Sequence, residues 1–205
     1  GFGAGANVTT GVNNTLIGGN AGVTITTGGS NTAVGYLALE DNTTGTNNVA
    51  IGKDSLRTNI TSNGNVAVGT NSLELNTAAN NTAVGNAALA ANTTGTENTA
   101  VGALAGDAIT TASYNTAVGK GALSSATTGA QNTAVGREAA QATTTGTSNV
   151  AIGQSALSAN TTGGTNIAVG EDALGSNTTA SNNTAVGHAS LGANTTGTQN
   201  TAVGE

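Results

Sequence analysis

The sequence consists of about twelve copies of one short repeat. Residues 31–47 read NTAVGYLALEDNTTGTN, and close copies begin at Asn81 and Asn183. The glycine that ends each segment of the type N-T-A-V-G, called the anchor glycine below, recurs every 17 residues, with one step of 16 between Gly69 and Gly85. A fixed period of this length is typical of a solenoid, in which each repeat is one structural unit stacked on the next. We therefore predict that residues 1–205 form a single repeat array.

The four residues before each anchor glycine predict a short strand. Asparagine stands first in all twelve copies, a β-branched residue follows in all twelve, alanine comes next in eleven, and valine or isoleucine is last. Side chains alternate across a strand, so Thr32 and Val34 share one face while Asn31 and Ala33 share the other. We expect Thr32 and Val34 to face the interior, and the asparagines of successive coils to form a hydrogen-bonded ladder.

The second half of the repeat carries alanine or serine and then leucine, followed by a polar N-T-T-G segment suited to a turn. We expect a second short strand here, because glycine, asparagine and threonine interrupt every window that a helix would need. In three copies glycine replaces the leucine, and an aliphatic residue then replaces the asparagine three positions later. The three pairs are Gly5 with Val8, Gly22 with Ile25 and Gly106 with Ile109. Such compensation indicates that the two positions reach the same interior volume.

These patterns predict an all-β fold, a parallel β-solenoid of about twelve 17-residue coils. At roughly 4.8 Å per coil the rod would be about 55–60 Å long. With Thr32 and Val34 inside, the small alanines would form an outer stripe that lets another chain approach closely. We therefore predict a subunit interface, and a side-by-side homotrimer, on this stripe: Ala33, Ala50, Ala67, Ala83, Ala100, Ala117, Ala134, Ala151, Ala168, Ala185 and Ala202.

Composition narrows the classes of function. Only four basic residues accompany ten carboxylates, for a net charge of −6, so a surface that neutralises nucleic-acid phosphates is not expected. Cysteine is absent, which excludes disulfides and thiolate metal sites. No run approaches the ~20 apolar residues of a membrane span, so direct membrane insertion is not expected. We expect either that the chain is a segment of a longer fibre or that its ends stack on neighbours.

No group of residues predicts catalysis, a metal site or a cofactor. His188 is the only histidine and has no partner in the repeat pattern. The carboxylate pairs Glu40-Asp41 and Glu171-Asp172 fall at variable positions, which favours a solvated face over a glycosidase pair. The N-T-T-G turn also lacks the recurring aspartate of calcium-binding β-rolls. We expect a protein that is not an enzyme.

Three segments carry a resemblance to a known family: NVAIGKDSL at residues 48–56, NVAVGTNSL at residues 65–73 and NVAIGQSAL at residues 149–157. They resemble the head repeats of trimeric autotransporter adhesins of the YadA-like family, and the longer NTAVGxxALxxNTTGxx text is similar to arrays in phage tail-fibre proteins. The resemblance implies a left-handed parallel β-roll, three chains packed side by side, and an extracellular adhesive head or spacer on a cell or virion surface with an unknown receptor. The 17-residue period is longer than that of typical YadA-like heads.

Two other functions remain open at this point. A self-assembling extracellular filament subunit would use the same repeat for end-to-end growth. An ice-binding β-solenoid would need a flat array of threonines, and Thr44 with Thr46 forms a Thr-x-Thr pair that returns at Thr94 with Thr96. Most coils lack this pair, and we expect the strand threonines to face inward, so we rank ice binding below the fibre.

Overall fold

A computed structural model describes residues 1–205 and confirms the parallel β-solenoid. Each repeat contributes one strand of three residues, and the twelve strands form one sheet in chain order. The strands are β1 (Thr15–Ile17), β2 (Thr32–Val34), β3 (Val49–Ile51), β4 (Val66–Val68), β5 (Thr82–Val84), β6 (Thr99–Val101), β7 (Thr116–Val118), β8 (Thr133–Val135), β9 (Val150–Ile152), β10 (Ile167–Val169), β11 (Thr184–Val186) and β12 (Thr201–Val203).

Every strand pairs in parallel with the next one, and equivalent residues of the repeat face each other. Ala33 of β2 pairs with Ala50 of β3, for example. The 16-residue step keeps this register, because Val66 of β4 pairs with Thr82 of β5. The missing residue has therefore been removed from the turn, and the sheet continues through the irregular coil.

The strand alanines lie inside the coil, which makes the predicted alanine interface wrong. Ten of these side chains, from Ala33 to Ala185, are 0–1% exposed in the single chain. Only Ala202, in the last strand, is partly exposed. A side chain without accessible surface cannot contact a second copy of the chain. The stripe is instead one wall of a continuous core of 30 buried residues.

The coil is too narrow for large side chains from both walls. The opposite wall supplies seven leucines, from Leu39 to Leu174, which are 0% exposed and pack in the same cluster as the alanines. A leucine on one side leaves room only for alanine and asparagine on the other, so the larger Thr32 and Val34 point outward. Strict alternation shows which residues share a face, and packing decides which face is inside.

The second predicted strand does not form, because the leucine segment adopts left-handed backbone conformations. Leu37 and Leu39 have φ of 58° and 55°, and the equivalent positions of other coils behave alike. The N–H of Leu37 donates to the Gly19 carbonyl of the preceding coil, at 3.0 Å, while that of Leu39 donates to the Ser55 carbonyl of the following coil, at 3.0 Å. The segment thus binds both neighbouring coils without being a strand.

The anchor glycine is required by both its conformation and its surroundings. Gly35 has a φ of 142°, which residues with a Cβ rarely adopt. A Cβ on Gly35 would also lie 2.4 Å from the carbonyl oxygen of Gly52, the anchor of the next coil. The same clash would occur at the other internal anchor glycines, so the coils can stack this closely only with glycine at this position.

The predicted asparagine ladder is confirmed. Oδ1 of Asn31 accepts hydrogen bonds from the backbone N–H of Asn48, at 3.0 Å, and from its Nδ2, at 3.1 Å. Nδ2 of Asn31 donates across the coil to the Gly45 carbonyl at 2.8 Å. These side chains are fully buried, and each one satisfies backbone groups that the turn leaves without partners.

A second ladder runs through the asparagines of the N-T-T-G turns. Nδ2 of Asn59 donates to Oδ1 of Asn42 at 3.2 Å, and Nδ2 of Asn177 donates to Oδ1 of Asn160 at 3.0 Å. Where Ile25 or Ile109 replaces the asparagine, the side chain is 0% exposed. A Cβ on Gly106 would lie 3.0 Å from Cδ1 of Ile109, so the predicted exchange of volume between these positions is confirmed.

Candidate functional site: the outer face of the sheet

The most distinctive surface is the outer face of the sheet, called the sheet face below. It consists of the first and third residue of each strand, which are threonine, valine or isoleucine in all twelve strands. Thr32 and Val34 lie here, so the expectation that they face the interior is wrong. Parallel pairing aligns equivalent residues, so the sheet face carries two ranks of β-branched side chains along the rod.

This surface is apolar and partly exposed along its length. Ile51, Val101, Ile152 and Ile167 are 38–41% exposed, although all belong to strands in the middle of the array. Exposed aliphatic side chains that stand singly are ordinary, but a continuous rank of them marks an interaction surface. The sheet face is therefore the strongest candidate for a functional surface of this chain.

Charged side chains are separated from the sheet face. Every Asp, Glu, Lys, Arg and His except Glu97 lies one, two, five or six residues after an anchor glycine. The surface formed by these positions, which precede the N-T-T-G turn, is called the turn side below. No charged residue occupies a strand. The rod thus has a polar, negatively charged flank and an uncharged sheet, and this division lets one surface be dehydrated without burying a charge.

Ion pairs on the turn side are few and local. Nη2 of Arg57 lies 2.9 Å from Oε1 of Glu74 in the next coil. Lys53 pairs with the neighbouring Asp54, and this hydrogen bond raises the pKa of Lys53 above its usual value. Exposed pairs of this kind contribute little stability.

The threonine hydroxyls of the N-T-T-G turns form hydrogen bonds within the chain, and those of the sheet do not. In the turns they donate to the next coil, as Oγ1 of Thr93 does to the Thr110 carbonyl at 3.0 Å and Oγ1 of Thr26 to the Thr43 carbonyl at 3.1 Å. The strand threonines make no such bond within the chain. Strands β5 to β8 begin with four successive threonines, so a row of free hydroxyls crosses the centre of the sheet face.

The residues considered for catalysis do not converge. His188 is exposed, with Nδ1 3.6 Å from Oε1 of Glu205, and Glu171 and Asp172 are exposed on the turn side. Oγ of Ser55 donates to the carbonyl of the anchor Gly52 at 3.0 Å, a structural role. The surface holds no pocket, and no three His, Cys, Asp or Glu side chains come together. No helix of a length and apolarity that would cross a membrane is present.

Comparison with protein-family models, with curated proteins and with solved structures gives no match.

Proposed function

We propose that this chain is the repeat region of an extracellular surface fibre or adhesin, in which copies pack side by side through the sheet face as a homotrimer. The observation that carries the proposal is the uncharged sheet face, with its ranks of valine, isoleucine and threonine along twelve parallel strands. The resemblance of residues 48–56 and 65–73 to YadA-like head repeats supports the same assembly. The interface proposed here replaces the alanine stripe.

Association through this face would gain free energy at every coil. An isoleucine that keeps about two fifths of its surface, such as Ile51 at 39% or Ile167 at 41%, can still bury that part. Burial of a whole aliphatic side chain contributes about 1.5–3 kcal/mol, so each such residue adds up to about 1 kcal/mol. Repetition over many coils offsets the loss of translational and rotational freedom on association.

The turn side would then form the outside of the fibre. Its residues vary most between repeats, as in Tyr36, Lys53, Thr70 and Asn86, which each follow an anchor glycine. A receptor that contacted several successive coils would bind through many weak contacts, and multivalency would supply the affinity. The solenoid itself supplies length and stiffness through its continuous hydrogen-bond ladders.

The experiment is the mass of the purified chain by size-exclusion chromatography with light scattering. We expect three times the chain mass of 19.3 kDa. Val101→Lys places a charge on the sheet face and should give a monomer. Ala103→Lys is the matched control in the same coil, on the turn side where lysine already occurs in Lys53 and Lys120, and should stay trimeric. A wild-type monomer contradicts the proposal, and open-ended filaments favour the self-assembling filament subunit.

Ice binding is a second candidate, favoured by the free threonine hydroxyls of strands β5 to β8. A flat row of methyl and hydroxyl groups at strand spacing, roughly 4.8 Å, can order water against the surface. The test is thermal hysteresis of the wild type and of Thr116→Tyr, which would break the row without entering the core. Hysteresis in a monomeric wild type that Thr116→Tyr removes would support ice binding. Its absence from the monomer would exclude it.

A further inference from the structure

The turn at residues 59–62 lacks the contacts that every other internal turn makes with the next coil. In the other internal turns, between one and three N–H groups of successive turn residues donate to one carbonyl oxygen of the following coil. Thr26, Thr27 and Gly28 all donate to the Thr43 carbonyl, at 3.0, 3.3 and 3.2 Å. Such convergence ties each turn to its neighbour independently of the sheet.

At residues 60–62 these bonds are missing. The backbone N–H groups of Ile60, Thr61 and Ser62 donate to no backbone carbonyl, and the one bond from this turn segment to the next coil runs from Oγ of Ser62 to the Thr77 carbonyl at 2.5 Å. The coil that follows is the 16-residue one, with one residue fewer between Asn76 and its next strand. Its Thr77 carbonyl stands in the place of the acceptor of a regular turn but receives the Ser62 hydroxyl in place of the N–H groups.

The buried ladder of turn asparagines breaks at the same junction. Oδ1 of Asn59 is buried and has no hydrogen-bond partner. Nδ2 of Asn76, which would donate to it in a regular coil, donates to the Ala78 carbonyl at 2.7 Å. The neighbouring rungs are present, from Asn59 to Asn42 at 3.2 Å and from Asn92 to Asn76 at 2.6 Å. Oδ1 of Asn92 also lacks a partner, because Ile109 follows it, but that turn keeps two N–H bonds to the Thr110 carbonyl. A buried acceptor without a donor destabilises the closed arrangement by about 1–3 kcal/mol.

Other contacts hold the junction together away from this turn. The β4 and β5 strands pair in full register. On the turn side, Arg57 binds Glu74 across the same two coils. The weakness is thus confined to one corner of the coil, where Ile60 and Leu75 also expose 50% and 43% of their surfaces.

We propose that the corner at residues 59–62 is a built-in opening point, where the solenoid separates locally before any other internal junction does. Opening here breaks no hydrogen bond from a turn N–H to the next coil, whereas opening at residues 26–28 breaks three. The sheet stays paired, so the rod opens on one side and bends about β4 and β5. This behaviour does not depend on whether copies of the chain associate.

Hydrogen exchange of the intact chain, read by mass spectrometry, tests the proposal. Amides of residues 60–62 should exchange at least about tenfold faster than those of residues 26–28 and 144–146, regular turns in which all three N–H groups donate to the next coil, because local opening governs exchange. A repair variant inserts one threonine between Thr77 and Ala78. The repaired turn would match residues 177–183, where Thr161 donates to the Thr178 carbonyl at 2.7 Å.

The insertion should slow exchange at residues 60–62 to the rate of the regular turns and raise the thermal midpoint. The matched control inserts the same threonine between Thr178 and Thr179, in a coil that already has 17 residues, and should speed exchange and lower the midpoint. Equal exchange in all three turns of the wild type overturns the proposal. So does a repair variant that destabilises the chain as much as the control does.

Discussion

Replacing Asn115 with alanine removes one rung from the buried strand ladder and should destabilise the chain strongly. Oδ1 of Asn115 accepts from the backbone N–H of Asn132 at 2.9 Å and from its Nδ2 at 3.3 Å. Nδ2 of Asn115 donates to Oδ1 of Asn98 at 3.2 Å. Alanine would leave the Asn132 N–H buried without an acceptor and would open a cavity beside it.

The magnitude follows from these contacts. A buried donor without a partner costs about 1–3 kcal/mol, and each of the other lost hydrogen bonds about 0.5–1.5 kcal/mol. Because the Asn132 side chain keeps its bond to the Gly146 carbonyl, at 2.9 Å, part of the network survives. We therefore expect the free energy of unfolding to fall by about 3–4 kcal/mol for Asn115→Ala.

Equilibrium urea unfolding, followed by far-UV circular dichroism, measures this difference, provided that the slopes of wild type and variant agree. Asn86→Ala is the matched control, since Asn86 is exposed and the next coil carries Ala103 at the same position. Its free energy of unfolding should change by at most about 0.5 kcal/mol. If Asn115→Ala costs less than about 1 kcal/mol, or no more than Asn86→Ala, the buried ladder does not stabilise the solenoid as argued.

Three further predictions follow from single contacts. Gly102→Ala should cost more than about 3 kcal/mol or prevent folding, because its Cβ would lie 2.6 Å from the Gly119 backbone. Gly204→Ala meets no atom within 4 Å and carries only the strain of its φ of 119°, so the same urea measurement should show a clearly smaller loss. Gly106→Leu should lower the free energy of unfolding by about 1–3 kcal/mol, and adding Ile109→Asn should restore part of that loss. If the effects of the two substitutions simply add in a double-mutant cycle, the two positions do not share one interior volume. Burial raises the pKa of Asp107 above its usual 3.8, so the charged carboxylate destabilises the folded chain and Asp107→Asn should stabilise it at pH 7. This advantage should be lost as the pH falls through the raised pKa towards 3.8, below which Asp107 is protonated in the folded and in the unfolded chain. If Asp107→Asn shifts the thermal midpoint equally at pH 7 and below pH 3.8, the charge of Asp107 is not the cause of the stabilisation.

The repeat made the solenoid and the ladder of asparagines before the strands predictable from the sequence, whereas the ladder of turn asparagines was not predicted. A constant period places equivalent residues in register, so a conserved column such as Asn31, Asn48 and Asn65 must stack on itself once the coils stack. The paired exchange of Gly106 with Ile109 likewise reported an interior contact, because a lost volume had to be replaced nearby.

Which face of each strand lies inside the coil could not be predicted in the same way. Alternation puts Ala33 opposite Val34 whichever side is inward, and the usual preference for larger apolar groups inside gave the wrong choice. The deciding factor is Leu39, which enters from the far wall with a φ of 55°, a conformation that leucine rarely adopts. Glycine at Gly5, Gly22 and Gly106 in the leucine column was the available signal of that conformation.

The central claim is that copies of this chain meet at the sheet face, and site-specific cross-linking tests it most directly. The chain has no cysteine, so Thr99→Cys on the sheet face and Thr94→Cys on the exposed turn that precedes this strand each provide one thiol. With a short bis-maleimide in dilute solution, Thr99→Cys should yield linked pairs and Thr94→Cys should remain unlinked. Equal linking of the two variants, or none in either, would contradict assembly through the sheet face.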